Sequence, residues 1–161
     1  MAIPLSLKGL TPREAITDTA YRLARSFDHN DINAFNSAIS EDAVLELNIT
    51  EPLMFTGISN IRAATFDRVV KMDTSHMLSN IRVDVQQGAK EATLQCYTLS
   101  QHCPLGMGKD VKAPKYLAGA EFMFEMDFHE GDGNGDGLWK IRRWIAGLVW
   151  AEGDESLILS N

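Results

Sequence analysis

Three titratable side chains in this sequence, Asp28, His76 and His102, have the chemistry to move a proton. Asp28 ends a predicted helix, where a carboxylate opposes the helix dipole and gains nothing from it. His76 begins one predicted strand, and His102 ends the next on the same face as Ser100. Taken singly, each has an ordinary explanation as a solvated helix end, a loop residue or a turn residue. If the three converge, they predict a carboxylate-oriented imidazole, which is a general base tuned near neutral pH.

Glu121 is a carboxylate in a strongly apolar predicted strand, flanked by Ala120 and Phe122. If Glu121 faces inward, desolvation would favour its protonated form and make it a proton donor. If it faces outward, it is the polar half of an alternating strand, which the pattern of residues 119 to 127 favours. Glu121 is retained as a candidate for substrate binding.

Five further residues are candidates for lining a pocket around the three titratable groups. Asn80 shares its strand parity with His76, and Tyr21 lies on the same helical stripe as Asp28. Tyr116 lies near the mouth of the predicted sheet. The remaining two candidates are Phe27 and Trp144.

The stretch "EGDGNGDGLW" at residues 130 to 139 looks like the opening of a calcium-binding loop. An EF-hand requires a bidentate glutamate at its twelfth position, which counted from Asp132 is occupied by Arg143. Both flanks alternate with period two, as strands do, so the stretch is predicted to be a hairpin turn. No CxxC or HExxH spacing occurs, so we expect no metal site.

The segment "LTPREAITDTAYRLARSFDHND" predicts a helix from about residue 12 to residue 28, which would position Asp28. It opens with a capping box, in which Thr11 is the N-cap, Pro12 is the first helical residue and Glu14 follows three residues after the cap. Apolar residues then recur at helical spacing.

The rest of the chain changes from helical to strand periodicity. A short helix is predicted at 32–39, a strand at 43–49 and a third helix at 60–72. Four strand-like segments follow, at 76–86, 91–102, 115–128 and 138–150. Helices that precede a mostly antiparallel sheet predict an α+β fold.

Length, composition and net charge indicate the number of domains and exclude some kinds of partner. At 161 residues the chain is expected to form a single domain over residues 1–161, with its core at about 12–154. A net charge of −7 and the absence of a basic run argue against a nucleic-acid partner. No apolar run is long enough for a membrane span, so we expect no membrane partner and a cytoplasmic location. Cys96 and Cys103 are interpreted as small apolar residues.

The order of "AYRLARSFDHND", "FTGISNI", "SHMLSNIRVDV", "YTLSQH" and "WKIRRWIAGLVWAEGD" resembles the SnoaL-like branch of the NTF2-like superfamily. Within that branch the chain is most similar to fungal scytalone dehydratase and related polyketide-pathway dehydratases. The resemblance covers about residues 12 to 154. It implies an NTF2-like, cystatin-like cone, in which helices pack on a curved, mostly antiparallel sheet.

The resemblance also implies roles for the three titratable residues. The family's helix-end aspartate falls on Asp28, its first pocket histidine on His76 and its second on His102. In the family the aspartate orients a histidine, and the histidine pair moves protons while water is lost from a β-hydroxy ketone. Two family tyrosines that polarise the substrate carbonyl through water fall on Phe27 and near Leu47, which makes scytalone itself a doubtful substrate. The serine and asparagine of the family's fourth strand fall near Gly119 and Glu121.

These observations lead to a hypothesis of cofactor-independent elimination on a hydrophobic, polycyclic or aromatic polyketide- or terpenoid-like substrate. His102, paired with Asp28, would remove a C–H proton beside a carbonyl, while His76 would stabilise the enolate or deliver a proton to the departing hydroxyl. Without a leaving group the same residues would run an isomerisation or a cyclisation. A non-catalytic binding module is the other alternative. The resemblance further implies a homo-oligomer, either a dimer or a trimer.

Overall fold

A long helix packed on one face of a six-stranded sheet dominates the structure, a computed structural model that describes residues 4–131 and 137–159. The described helices are α1 Pro12–His29, α2 Ile32–Ala38, α3 Ile58–Ala64, α4 Phe66–Val69 and α5 Ser156–Leu159. The strands are β1 Ile39–Asn48, β2 Pro52–Thr56, β3 Met72–Asp84, β4 Glu91–Pro104, β5 Tyr116–His129 and β6 Leu138–Gly153.

The strand order is β2-β1-β6-β5-β4-β3, and only the β1–β6 pair is parallel among the described strands. β5 and β6 flank the glycine-rich turn and pair antiparallel from Tyr116 opposite Gly153 to His129 opposite Leu138. Within the turn predicted in the stretch 130–139, residues 132–136 lie outside the described residues. Helices packed on this largely antiparallel sheet confirm the predicted α+β class.

The start of α1 has the hydrogen bonds of the predicted capping box. The Thr11 backbone N–H donates to Glu14 Oε2 at 2.7 Å, and the Glu14 N–H donates to Thr11 Oγ1 at 3.4 Å. The helix ends at a left-handed Asn30, whose φ is 50°. One face of the helix is buried, so Asp28 is held at the end of a rigid element.

The predicted third helix is two short helices broken at Thr65. Thr65 leaves the helical region, with φ −125° and ψ −77°, and its hydroxyl donates to the Ile61 carbonyl at 2.7 Å. A threonine side chain that bonds its own helix's backbone competes with continuation of the helix. The break was not visible in the sequence because apolar spacing continues across it.

Two features of the strands differ from the sequence-based expectations. β2 was not predicted, because its residues are mostly exposed on the sheet edge and show no burial alternation. β3 begins at Met72, four residues before the predicted start, so His76 lies inside the strand rather than at its beginning.

β3 also contains a bulge. The β3–β4 register shifts between Ser79 and Arg82, and Asn80 adopts a left-handed conformation with φ 52°. A bulge places an extra residue on one strand and reverses the facing pattern beyond it. Ile81 therefore packs against the core, and Asn80 is exposed.

The hydrophobic core lies between α1, α2 and the inner face of the sheet. Its fully buried members include Ile16, Phe35, Leu45, Leu94 and Phe124. In β4, every second residue from Ala92 to His102 is buried, so the strand presents a continuous inner row. Within the described ranges, no helix is both long and apolar enough to cross a membrane.

Candidate active site

Asp28 and His76 form a directly hydrogen-bonded pair. His76 Nδ1 lies 2.7 Å from Asp28 Oδ1. The same carboxylate accepts a hydrogen bond from the His76 backbone N–H at 3.0 Å and one from the Thr74 hydroxyl at 2.8 Å. With the carboxylate ionised, Nδ1 carries the ring proton and Nε2 is left as the basic atom.

This pairing corrects the expectation that Asp28 orients His102. α1 packs mainly against β3, so its last turn meets Thr74 and His76. His102 lies one strand farther into the sheet, opposite Thr74 in the β3–β4 register. The partner of Asp28 was decided by which strand the helix crosses, and spacing along the chain does not contain that information.

The environment of Asp28 keeps its carboxylate ionised. Burial alone would raise the pKa of this group, but the hydrogen bonds and charge of His76, with the Thr74 hydroxyl, outweigh burial and lower the pKa from its ordinary value. An ionised carboxylate accepts a hydrogen bond from Nδ1–H and also stabilises an imidazolium once His76 takes up a proton.

His102 stands beside His76 as a neutral imidazole. The two ring centroids are 5.4 Å apart, with the planes at 84°. Burial, with a smaller contribution from the charge of His76, lowers the pKa of His102 to about 4. Its side chain is therefore uncharged at pH 7, and the pair consists of one carboxylate-held imidazole and one desolvated imidazole.

Both histidines line a cavity of about 220 Å³ between α1 and the inner face of the sheet. Its wall is mostly apolar and consists of residues from α1, from the short helices α3 to α5 and from the inner face of the sheet. Within the described part of the chain, no Lys, Arg, Asp or Glu side chain lines it. The lining consists of Ala20, Leu23, Ala24, Phe27, Leu47, Ile49, Ala64, Thr65, Val69, His76, Leu78, Thr98, Ser100, His102, Tyr116, Ala118, Ala120, Phe122, Phe124, Trp144, Leu148 and Ile158.

Three buried polar atoms in this wall have no hydrogen-bond partner among the described residues. They are Thr98 Oγ1, His102 Nδ1 and Trp144 Nε1, on side chains that are 5%, 6% and 5% exposed. Leaving such an atom unpaired costs about 1–3 kcal/mol. Three such atoms in one cavity are typical of a site that completes its hydrogen bonds with a ligand.

Phe27, Tyr116 and Trp144 are the proposed binding residues that the structure places in the cavity wall. The Phe27 ring lies 5.3 Å from that of His76, and the Tyr116 ring lies 6.2 Å from that of His102. Burial, reinforced by Glu155, raises the pKa of Tyr116, so its hydroxyl remains protonated. The binding roles of these residues stay predictions.

The remaining three candidates lie outside the cavity. Glu121 is exposed on the outer face, because its register partners Tyr97 and Gly147 belong to that face while Ala120 and Phe122 face inward. Asn80 is turned to solvent by the β3 bulge. Tyr21 is 43% exposed, since it lies one helical step away from the face that Ala20 and Ala24 present to the cavity.

Thr98, Ser100 and Leu148 are cavity residues that the sequence-based list of site residues omitted. Thr98 and Ser100 share the strand parity of His102, which was the signal that could have identified them. Leu148 gave no comparable signal, because its strand is rich in apolar residues on both faces. Within the described residues, no cluster of three or more His, Cys, Asp or Glu side chains is arranged to hold a metal ion.

Comparison with known proteins connects this geometry to a family. The profile of the SnoaL-like domain matches residues 9–145. Terrestric acid biosynthesis cluster protein E of Penicillium crustosum is 39% identical over 154 residues, which cover 95% of this chain and 94% of that protein.

Two solved structures from Novosphingobium aromaticivorans share the fold. A protein provisionally assigned as a scytalone dehydratase superposes with a TM-score of 0.68 at 19% identity, covering 88% of this chain and 86% of that one. An NTF2-like protein with a cystatin-like fold superposes with a TM-score of 0.60 at 18% identity, covering 85% and 81%. The chain thus has the NTF2-like, cystatin-like fold, and it belongs to the SnoaL-like domain family.

Proposed function

We propose that this protein is a cofactor-independent lyase that removes water from a β-hydroxy ketone, with His76 as the base and Asp28 as the residue that orients it. The observation that carries the proposal is the 2.7 Å contact between His76 Nδ1 and Asp28 Oδ1 in the wall of an apolar cavity, beside a second, neutral histidine. This assignment exchanges the roles that the sequence suggested for His76 and His102.

The reaction needs one base and one group that stabilises the developing charge. His76 Nε2 takes the proton from the carbon next to the carbonyl, and the electron pair of the C–H bond becomes that of an enolate. The enolate then forms the carbon–carbon double bond as the β-hydroxyl leaves with a proton, so that the products are an enone and water. Protonated His76 supplies this proton to the leaving hydroxyl and thereby becomes neutral again.

His102 is suited to stabilising the enolate oxygen. A neutral imidazole can donate a hydrogen bond from its protonated ring nitrogen to the enolate oxygen and so stabilise the negative charge that develops there. The low pKa of His102 keeps the imidazole neutral at pH 7, so the cavity contains no second positive charge to compete with the imidazolium that forms on His76.

The relatives support a role in secondary metabolism. Terrestric acid biosynthesis cluster protein E carries a biosynthetic role in its name and resembles this chain over nearly the whole length of both. A polyketide- or terpenoid-like ketone is a substrate class that suits a wall without charged side chains.

The test incubates the protein in heavy water with a panel of compact β-hydroxy ketones that includes cyclohexanones carrying the hydroxyl β to the carbonyl. Mass spectrometry follows the loss of water, and the enone absorbance gives the rate. If the protein is a dehydratase, the substrate should lose water, and this loss should depend on His76. Deuterium uptake without loss of water would replace the dehydratase by an isomerase or cyclase. Binding without either change would leave a small-molecule-binding module.

We also propose that the protein forms a homo-oligomer through the outer face of the sheet. Met77 pairs with Leu99, Leu99 with Gly119 and Gly119 with Trp150, so three exposed apolar side chains lie in one row across β3 to β6. Exposed apolar patches of this kind mark contact surfaces. Sedimentation should detect a dimer or trimer that Leu99→Glu dissociates, and a monomeric parent protein would contradict the proposal.

A further inference from the structure

We infer that Trp144 and Thr98 are two further recognition groups of the cavity, and that one or both bind an acceptor oxygen of an electrically neutral substrate. The inference rests on the proposed function in one respect, since it takes the cavity beside His76 and Asp28 as the place where the substrate binds. It adds a requirement on the substrate that the histidines alone do not impose.

The indole of Trp144 is a donor without an acceptor. Its ring packs edge-on against Phe122 at 5.3 Å and lies 5.9 Å from Phe124, so its surroundings are aromatic. Nε1 is buried and has no partner among the described residues. An indole N–H can only donate, so the group that satisfies it must be an oxygen or nitrogen acceptor. The cavity that the ring borders is the open space from which such an acceptor can come.

Thr98 on β4 is a second buried polar side chain without a hydrogen-bond partner among the described residues. Its register neighbours are Leu78 on β3 and Ala120 on β5, neither of which has a polar side chain. Its hydroxyl is unpaired, whereas the hydroxyl of Ser100 donates to the Ala118 carbonyl at 3.5 Å. A threonine with no partner in an apolar wall would be better replaced by valine unless a ligand uses the hydroxyl.

The position of Thr98 relative to His76 constrains the substrate. Ser100 is opposite His76, and Thr98 lies two residues farther along β4, which is about 7 Å at strand spacing. A group that accepts from Thr98 is therefore displaced along the sheet from a group at His76.

The wall also selects the charge of the substrate. No Lys or Arg among the described residues lines the cavity, so a carboxylate or phosphate would be buried there without a permanent cation. A carbonyl, ester or ether oxygen accepts from Trp144 and Thr98 without that penalty. The substrate class is thus a neutral compound with an oxygen acceptor remote from the carbon that loses its proton.

The experiment compares the binding of acetophenone and ethylbenzene, two neutral compounds of similar shape of which only acetophenone has an acceptor oxygen. The chain has three tryptophans, so the side-chain N–H region of a ¹⁵N correlation spectrum contains three indole signals. Trp144→Phe identifies the one that belongs to Trp144. Acetophenone should shift this signal downfield and slow its exchange with water, while ethylbenzene should bind without doing so.

Dissociation constants then test the energetic role. The preference for acetophenone over ethylbenzene should fall about three- to tenfold in at least one of Trp144→Phe and Thr98→Val, as expected for a lost hydrogen bond. The matched controls are Trp150→Phe and Thr93→Val on the outer face, which should leave the preference unchanged.

Several results would overturn the inference. An unchanged preference in both cavity variants would mean that the carbonyl is bound elsewhere, for example by His102. An acetophenone complex in which the Trp144 signal does not move would mean that water or the Phe122 ring already satisfies Nε1. Saturation by ethylbenzene alone, or by neither compound, would also contradict the inference. Because these measurements detect binding only, they hold or fail independently of whether the protein dehydrates a β-hydroxy ketone.

Discussion

The two faces of the sheet treat polar side chains in opposite ways. On the outer face, Arg142 contacts Glu125 and Asp127 at 3.2 Å, and Arg143 contacts Glu46 at 3.2 Å. On the inner face the Asp28–His76 pair is satisfied, but the polar atoms of Thr98, His102 and Trp144 are not.

The difference shows where the chain tolerates a loss of stability. Outer charges cost little because ion pairing offsets their desolvation, even at Asp127 Oδ1, which is buried without a hydrogen bond, and an ion pair between exposed groups contributes only about 0–1 kcal/mol. The unpaired atoms of Thr98 and Trp144 each cost about 1–3 kcal/mol. Residues that weaken the fold at one place and surround a cavity are the expected mark of a site built for a ligand.

The largest effect is expected from breaking the inner pair. Asp28→Asn should reduce turnover of a responsive β-hydroxy ketone by about 10²–10⁴-fold, because the amide no longer fixes the Nδ1–H tautomer or stabilises the imidazolium. The matched outer-face variant is Asp127→Asn, which should keep the parent rate. Steady-state kinetics measure both, with circular dichroism as the check on folding. Equal rates in the two variants would remove Asp28 from the mechanism.

A second prediction concerns the pH dependence of stability due to His102. The folded pKa of about 4 lies below the unfolded value of 6.5, so the folded protein binds this proton less well than the unfolded chain does. The free energy of unfolding should therefore be fully retained above pH 6.5 and fall by up to about 3 kcal/mol as the pH drops to 4.

Urea unfolding from pH 7 to pH 4 measures this loss in the parent protein and in His102→Gln. The variant should lack the His102 contribution, so the difference between the two curves isolates one residue. A parent protein and His102→Gln with the same pH dependence would refute the buried neutral state.

A third prediction uses the unpaired hydroxyl of Thr98. Thr98→Val should stabilise the ligand-free protein by about 1 kcal/mol, because it removes a buried polar group and breaks no hydrogen bond. Thr93→Val, on the exposed face of the same strand, should change stability by no more than about 0.5 kcal/mol. Thermal unfolding measures both, and a destabilised Thr98→Val would show that the hydroxyl already has a partner.

The smallest effect is expected on the outer face. Arg143→Gln removes the shared cation of two ion pairs, with Glu46 and Glu125, but the arginine is 44% exposed, so the free energy of unfolding should fall by no more than about 1 kcal/mol. The loss should shrink further in 1 M salt, where screening acts over about 3 Å. A loss of several kcal/mol would mean that ion pairs on the outer face contribute strongly to stability, which would contradict the difference between the two faces.

The sequence predicted best the elements whose signals are local. The capping box of α1 and the inner row of β4 were readable because cap spacing and strand alternation are properties of neighbouring residues. The three titratable residues lie together, since Asp28 contacts His76 and the rings of His76 and His102 are adjacent, while their catalytic roles stay predictions.

The errors have a common physical origin. The partner of Asp28 depends on how α1 crosses the sheet, and the exposure of Asn80 depends on a bulge that appears only when β3 pairs with β4. The edge strand β2 has too little burial to leave a pattern. Each of these features is fixed by contacts between distant segments, which periodicity in one segment does not report.

The most direct test of the central claim is the protonation state of the two histidines, measured by long-range ¹H–¹⁵N NMR between pH 7.5 and pH 4. The structure predicts a proton on Nδ1 of His76 that is strongly deshielded by Asp28 and disappears in Asp28→Asn. It also predicts that His102 stays neutral until the pH approaches 4. A His102 that takes up its proton near pH 6.5, together with a His76 whose proton is on Nε2, would contradict the proposed base and its neutral partner.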